Sequence, residues 1–215
     1  ALDLRQLRQR IAAMYDGADR DSAQLRATQL VAVLRLTPYA MLCNLGAALL
    51  LWWGFQPAPP HGLAWWVGAI VVLAALVSSN WWGNRRRRFE AVSSRAAHRA
   101  TRNAALLATI WAVIPACWFA SASPTQQLMI ATLFTGMLGA GTFMLSPLPL
   151  ASAAYAAILT VAALVSLALT GEPTFVAVAG LLLLYALASV LGALAMWRKS
   201  TQSFVAQATA QRQEQ

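Results

Sequence analysis

Side chains that perform acid–base or metal chemistry are scarce in this sequence of 215 residues. It contains seven aspartates and glutamates, two histidines and two cysteines, and charged residues make up only 11% of the chain. Cys43 and Cys117 lie in apolar runs without CxxC spacing or a neighbouring histidine, which argues against a disulfide framework or a zinc site. HExxH, P-loop and GxSxG motifs are absent from the sequence. It therefore predicts no catalytic residue, no bound metal and no cofactor in this chain.

Apolar residues, in contrast, are abundant. They make up 59% of the chain, whereas soluble globular domains contain about 45–50%. Six apolar stretches approach the length of roughly 20 residues that a helix needs to cross a hydrocarbon core of about 30 Å. They cover residues 37–55, 63–83, 104–123, 128–147, 150–170 and 176–197. This pattern predicts an all-α fold that consists of a bundle of six transmembrane helices.

Lysine and arginine lie on one side of the predicted bundle. The connections at 56–62, 124–127 and 171–175 contain none of the sixteen basic residues of the chain. Of the seven acidic residues, only Glu172 lies in these connections. Because cytoplasmic loops of membrane proteins are enriched in lysine and arginine, both termini are predicted to be cytoplasmic.

The predicted transmembrane domain at 37–197 is flanked by two segments of different character. Residues 1–36 form an N-terminal segment that begins with an amphipathic pattern. Leu4, Leu7, Ile11 and Met14 share one helical face there. This face would lie in the membrane interface or pack on a partner. Residues 198–215 contain no helix breaker, so we predict that they extend the last helix into the cytoplasm as a connector.

Seven arginines lie within residues 81–103, and four of them are consecutive. These four are Arg85, Arg86, Arg87 and Arg88. They follow directly on Trp81 and Trp82, where an anchor in the inner leaflet is expected. A nucleic-acid site would need interleaved aromatic or base-reading residues or a recognised fold around the basic patch. We therefore predict contacts with anionic lipid headgroups and no nucleic-acid partner.

Tryptophans cluster near the predicted ends of the spans. The four that flank the first outer connection are Trp52, Trp53, Trp65 and Trp66. This placement is typical of an aromatic belt, because the indole ring is apolar while its N–H needs a partner. The alternative is that these four tryptophans, with His61 in the same connection, line a cup that binds an apolar or cationic ligand.

Polar residues inside the spans are neutral. They include Asn44, Tyr155 and Tyr185, and such groups generally form hydrogen bonds between helices. Asn44 and Asn80 are not expected to pair, because Asn44 lies near the middle of its span and Asn80 near the inner end. The six spans lack the charged side chains that mark ion pathways and proton relays.

Small residues at a spacing of four mark two candidate packing faces. The first face is Thr132, Gly136 and Ala140, and the second is Ser152, Ala156 and Thr160. Small residues allow helix backbones to approach each other closely in lipid. We predict that both faces make contacts within the bundle, with a dimer interface as the alternative.

Residues 136–161, GMLGAGTFMLSPLPLASAAYAAILTV, combine a small-residue helix with a proline turn. Together with the six-span plan and the helical exit after Trp197, this stretch resembles the membrane-associated sensor (MASE-like) domains at the N-terminus of bacterial signalling proteins. The resemblance implies a location in the bacterial inner membrane. It also implies a homodimer and an exit helix that leads into an effector domain of the same chain. In that family the effector is a GGDEF or EAL domain of cyclic di-GMP metabolism, or a histidine kinase.

Three functions are compatible with the sequence. The leading hypothesis is a sensory or regulatory domain that relays a signal through its last helix to a cytoplasmic effector. A small transporter or channel is the alternative, although the spans show neither a clear repeat nor an ionisable midplane residue. A lipid-modifying enzyme would need a reactive cluster at the inner surface, where His98 among arginines is the only candidate.

Overall fold

The computed structural model describes residues 9, 11–12, 14–15, 20–84 and 92–213. These residues form six long helices and no β-strand. The helices are α1 (Arg20–Gly54), α2 (Leu63–Asn84), α3 (Ser94–Trp118), α4 (Pro124–Met144), α5 (Pro149–Leu169) and α6 (Thr174–Gln213). Each of them contains a segment long and apolar enough to cross a membrane. The predicted all-helical fold and the predicted number of spanning helices are confirmed.

Local sequence determines where several helices begin. Pro124 and Pro149 occupy the first turns of α4 and α5, where the missing N–H removes no helical hydrogen bond. Ser123 and Gln126 form a capping box before α4, in which the Ser123 N–H donates to the Gln126 side chain over 3.0 Å. Gly171, with φ of 69°, precedes α6 in a backbone conformation that favours glycine.

α5 is the most enclosed helix of the bundle. It packs on α3 through the most extensive helix–helix contact, and it also packs on α4 and α6. α1 pairs with α2 and touches α4. Large side chains that are almost fully buried fill the space between these helices. Among them are Leu51, Leu63, Ile70, Trp111, Ile114 and Leu159.

The outer surface of the bundle is apolar. Large side chains are exposed on several helices, including Leu42, Val72, Leu128, Val176 and Leu181. Soluble monomers rarely expose large contiguous apolar patches, because such patches associate in water. In lipid they are the ordinary surface of a helix bundle, so this surface supports the membrane-spanning arrangement.

Three helices extend past the predicted spans at the same end of the bundle. α1 begins at Arg20 rather than residue 37, α3 begins at Ser94 rather than residue 104, and α6 continues to Gln213. We call this the basic end; it comprises these three extensions, the α2–α3 connection and the α4–α5 turn. The second half of the predicted N-terminal segment is therefore part of α1. The predicted helical extension after residue 197 is confirmed as far as Gln213.

The described part of the N-terminal segment packs on the basic end. Met14 and Tyr15 are helical and almost fully buried. They belong to an apolar cluster with Ala97 of α3, Leu148 of the α4–α5 turn and Trp197 of α6. The amphipathic face thus finds its packing surface within the chain at these residues, whereas Leu4 and Leu7 lie outside the described residues.

The two predicted packing faces have different outcomes. Ser152, Ala156 and Thr160 are buried, and the Ser152 hydroxyl donates to the Thr142 carbonyl over 2.9 Å. The face formed by Thr132, Gly136 and Ala140 is exposed, so its prediction as a contact within the bundle is wrong. α4 instead packs through a neighbouring face, which consists of larger side chains and one glycine. These buried residues are Ile130, Phe134, Leu138, Gly139 and Thr142.

Candidate functional site

A cavity of about 460 Å³ occupies the half of the bundle that adjoins the basic end. α1, α2, α3 and α4 form its walls, and Tyr155 of α5 closes one side. The wall is mainly aliphatic, and none of the described residues that line it carries a formal charge. Its polar side chains are Thr37, Asn44, Asn80, Asn103 and Tyr155. The cavity therefore combines an apolar interior with a few hydrogen-bonding groups, which is typical of small-molecule sites.

Asn44 links the cavity wall to the core. Its amide nitrogen donates to the Ala40 carbonyl over 2.7 Å, and its oxygen accepts from the Trp111 indole N–H over 2.6 Å. The Trp111 ring meets Trp66 edge to face, with centroids 4.8 Å apart. Trp66 in turn donates to the Ile110 carbonyl over 2.7 Å. As expected, Asn44 does not pair with Asn80, and its partner is a tryptophan of α3 that lies away from any helix end.

Tyr155 has a different environment. Only 2% of its surface is exposed, and its hydroxyl lies 2.8 Å from the place where a Cβ atom of Gly141 would be. Both residues line the cavity. Within the described part of the chain the Tyr155 hydroxyl has no hydrogen-bond partner, so the predicted interhelical hydrogen bond is not formed there. Tyr185 of α6 is similarly placed over Gly139, but it is more exposed and does not line the cavity.

A second polar group, the Gln29 cluster, joins three elements at the basic end. It consists of Gln29 of α1, Pro147 of the α4–α5 turn, and Trp197 and Thr201 of α6. With its amide oriented to satisfy both neighbours, Gln29 donates to the Pro147 carbonyl over 3.1 Å and accepts from the Trp197 indole N–H over 3.0 Å. Thr201 Oγ1 lies 3.4 Å from the same amide and donates to the Trp197 carbonyl over 2.9 Å. Trp197, the last residue before the predicted connector, is thus tied to α1.

Arg26 performs a related function one turn earlier in α1. Its guanidinium is buried, and it donates to the Met14 carbonyl and to the Val92 carbonyl, each over 2.9 Å. These bonds fix the N-terminal segment and Val92, two residues before α3. Tyr15 adds a hydroxyl contact of 3.2 Å with Thr101 and an edge-to-face contact with His98, with ring centroids 5.3 Å apart. His98 is therefore part of a packing contact.

The residues of the predicted outer cup are placed in different environments. Trp53 and Trp65 are exposed by 74% and 86% of their surface, and His61 lies exposed in the connection. Trp52 is half-buried against the core. Trp66 is 6% exposed and belongs to the core. A ligand-binding role for these five residues stays a prediction.

The predicted headgroup contacts at Arg85, Arg86, Arg87 and Arg88 lie outside the described residues. Of the two tryptophans that precede them, Trp81 lines the cavity. Sequence patterns did not indicate the cavity or the Gln29 cluster. Two residues could have indicated them. Trp111 lies in the middle of a span, away from an aromatic belt, and Gln29 is an uncharged polar residue next to an apolar run.

No protein-family model, curated protein or solved structure matches this chain. The resemblance to membrane-associated sensor domains therefore stays a prediction from the sequence.

Proposed function

We propose that this chain is a sensory or regulatory domain of the bacterial inner membrane that relays a signal through α6 to a cytoplasmic effector. The single observation that carries the proposal is the Gln29 cluster. It ties α6 to α1 and to the α4–α5 turn at the level where α6 leaves the bundle. A helix that leaves the bundle through such a cluster follows the elements to which it is bonded.

The mechanism is a change in helix packing. α1 and the α4–α5 turn both contribute residues to the cavity wall. α1 carries Gln29, and the turn accepts a hydrogen bond from it at Pro147. A stimulus that alters their spacing must therefore stretch or exchange the hydrogen bond between Gln29 and Trp197 and shift the contact with Thr201. Relay of this kind needs two packing arrangements of similar free energy, one of which the stimulus stabilises. The hydrogen bonds of the Gln29 cluster would differ between the two arrangements.

The orientation in the membrane is part of the proposal. The basic end faces the cytoplasm, because the connections at the other end contain no lysine or arginine. Residues 1–36 and 198–215 then lie in or at the cytoplasm, and the arginines at 85–88 contact anionic headgroups. The effector carried by α6 is a GGDEF or EAL domain or a histidine kinase. The chain works as a homodimer, as the domains that it resembles do.

Replacement of Gln29 tests the relay. The full chain is joined at Gln215 to a diguanylate cyclase domain, and cyclic di-GMP is measured in cells. We expect Gln29→Leu to change reporter output at least threefold in one direction, because it removes the hydrogen bonds that join Trp197 of α6 and Pro147 of the α4–α5 turn to α1. Gln127→Leu is the matched control, since Gln127 donates a comparable bond of 3.0 Å to the Phe119 carbonyl at the other end of the bundle. Its output should equal that of the wild type at equal expression.

Insertions into α6 test the relay independently, because they rotate the part of the helix that follows them. Two residues inserted after Gln202 turn the following helix by about 200°, whereas seven residues return it to within about 20° of its original direction. Output should change with the two-residue insertion and recover with the seven-residue insertion. If Gln29→Leu and both insertions leave cyclic di-GMP at the wild-type level, α6 does not relay a signal.

A further inference from the structure

The cavity is open to the surface of the bundle on one side, because Leu36, Cys43, Leu106 and Ala140 of its wall are exposed. Ligand sites commonly measure about 300–1,000 Å³. At about 460 Å³ the cavity lies within that range. Its walls run along α1 from Val33 to Asn44, which is about 16 Å of helix. It therefore extends from the basic end towards the middle of the membrane.

Charge defines the first property of an occupant. The described residues that line the cavity include no lysine, arginine, aspartate, glutamate or histidine. Moving an ionised group into such a site without a counter-charge is strongly unfavourable. The aliphatic wall therefore favours a neutral molecule with a large apolar part.

Tyr155 defines the second property. Its ring is buried, while its hydroxyl lies beside Gly141 on the cavity wall and has no hydrogen-bond partner among the described residues. Buried polar groups nearly always find a partner, because an unmade hydrogen bond is costly in an apolar interior. The amide of Asn44 is already bonded through both its nitrogen and its oxygen. Tyr155 is therefore the donor that a bound molecule would use, and the molecule must offer an acceptor.

The polar groups of the cavity wall lie at two different depths in the bundle. Tyr155 is six residues from the start of α5 at Pro149, which corresponds to about 9 Å along the helix. Asn80 and Asn103 also lie in the cavity wall. Asn80 is four residues from the end of α2 at the basic end, and Asn103 directly precedes Ala104, which belongs to the apolar cluster at that end. An occupant can thus place one polar group near these two amides and an acceptor deeper in the bundle.

We propose that the cavity binds a neutral amphiphile that carries a carbonyl group, with the carbonyl oxygen accepting a hydrogen bond from the Tyr155 hydroxyl. Two sources have this chemistry: a membrane-soluble quinone and an uncharged acylglycerol. Its role as the stimulus rests on the proposed function, whereas its binding does not.

Native mass spectrometry of the detergent-solubilised full chain tests the binding. The probes are decylubiquinone, monoolein, and oleate at pH 9 as the ionised control. We expect one bound molecule of decylubiquinone or monoolein per chain and no oleate. Binding of decylubiquinone alone assigns the quinone source, binding of monoolein alone assigns the acylglycerol source, and binding of both supports the class.

Two tyrosine variants decide whether the hydroxyl takes part. Tyr155→Phe keeps the ring against Gly141 and should weaken binding about five-fold, as expected for the loss of one hydrogen bond. Tyr185→Phe is the matched control, because Tyr185 also lies over a glycine but outside the cavity. Its affinity should equal that of the wild type. Equal affinities of both variants and the wild type would overturn the proposal, as would binding of oleate or of no probe.

A third variant tests the volume. Ala140 is an exposed residue of the cavity wall, so Ala140→Leu should fill the cavity without disturbing the core, and should weaken binding more than ten-fold. Unchanged binding in this variant would place the probe elsewhere. Failure of the relay can be distinguished from failure of binding. If the chain binds a probe but Gln29→Leu leaves the reporter output unchanged, the binding site is supported and the signalling function is not.

Discussion

The hydrogen bond between Asn44 and Trp111 joins α1 to α3 inside an apolar core. The oxygen of Asn44 satisfies an indole N–H that is fully buried. The same amide caps the Ala40 carbonyl of its own helix. One neutral side chain therefore satisfies two buried groups and holds two helices in register, and it does so without placing a charge in the membrane.

Asn44→Leu should lower the free energy of unfolding by about 1–3 kcal/mol, because it leaves the Trp111 N–H buried and unsatisfied. Denaturant unfolding in detergent micelles, followed by tryptophan fluorescence, measures the change. Thr109→Ala is the control, since the exposed Thr109 hydroxyl donates only to the Ala105 carbonyl of its own helix. A loss from Asn44→Leu no larger than that of the control would show that the bond does not stabilise the bundle.

Two glycines of α4 give a contrasting pair of substitutions. A Cβ at Gly141 would lie 2.8 Å from the hydroxyl of the buried Tyr155, whereas a Cβ at Gly136 would meet no atom within 4 Å. Gly141→Ala should therefore destabilise the chain by about 1–3 kcal/mol. Gly136→Ala should be neutral or stabilise it by up to about 1 kcal/mol, because alanine favours the helix. The same unfolding assay compares them, and equal effects would contradict the close packing of Tyr155 on α4.

At the scale of the element, the hydropathy pattern predicted all six helices but not their ends at the basic end. A window of mean hydropathy falls when arginines appear, although α1 and α3 continue through Arg20–Arg35 and Arg95–Arg102. These extensions stay helical because each has an apolar face that packs in the cluster around Met14 and Trp197. The face of α4 that packs in the bundle could not be predicted from the sequence either. The spacing of small residues does not show whether they face another helix or lipid.

The packing of the N-terminal segment predicts a dependence on alkaline pH. Burial raises the pKa of the Tyr15 hydroxyl, although its hydrogen bond with Thr101 lowers it. The unfolded chain then ionises Tyr15 first, so its contribution is complete below pH of about 10 and is lost as pH rises above that value. The free energy of unfolding should fall less between pH 8 and pH 11 in Tyr15→Phe than in the wild type. Tyr39→Phe, which changes an exposed ring, is the control; identical pH dependence in all three chains would contradict the buried position of Tyr15.

At the scale of the whole molecule, the chain has an apolar girdle and one basic end. The composition of the sequence was sufficient to predict this arrangement, because lipid acts on average hydrophobicity and on the placement of lysine and arginine. The cavity and the Gln29 cluster were not predictable from composition. They depend on which faces of α1, α4 and α6 meet, and such contacts join residues far apart in the sequence, for example Gln29 and Thr201.

The orientation is tested by labelling single cysteines in whole cells. Cys43 and Cys117 are exposed on the bundle surface, so both are first replaced by serine. His61→Cys, in the α1–α2 connection, should react with a membrane-impermeant maleimide added from outside. Ser93→Cys, at the start of α3, should react only after the cells are opened. The reverse pattern would place the basic end outside the cytoplasm and contradict the proposed direction of the relay.

The length of α6 has a mechanical consequence. Its 40 residues correspond to about 60 Å, twice the thickness of a hydrocarbon core of about 30 Å. From Trp197 to Gln213 the rod measures about 24 Å, and α6 contains no proline to bend it. The effector domain that we propose, attached at Gln213 or beyond, would lie too far from the bundle to touch a molecule in the cavity. Such a domain would respond only to the tilt, the axial shift or the rotation of α6. Because the helix is long and straight, a small tilt near Trp197 produces a larger displacement at Gln213.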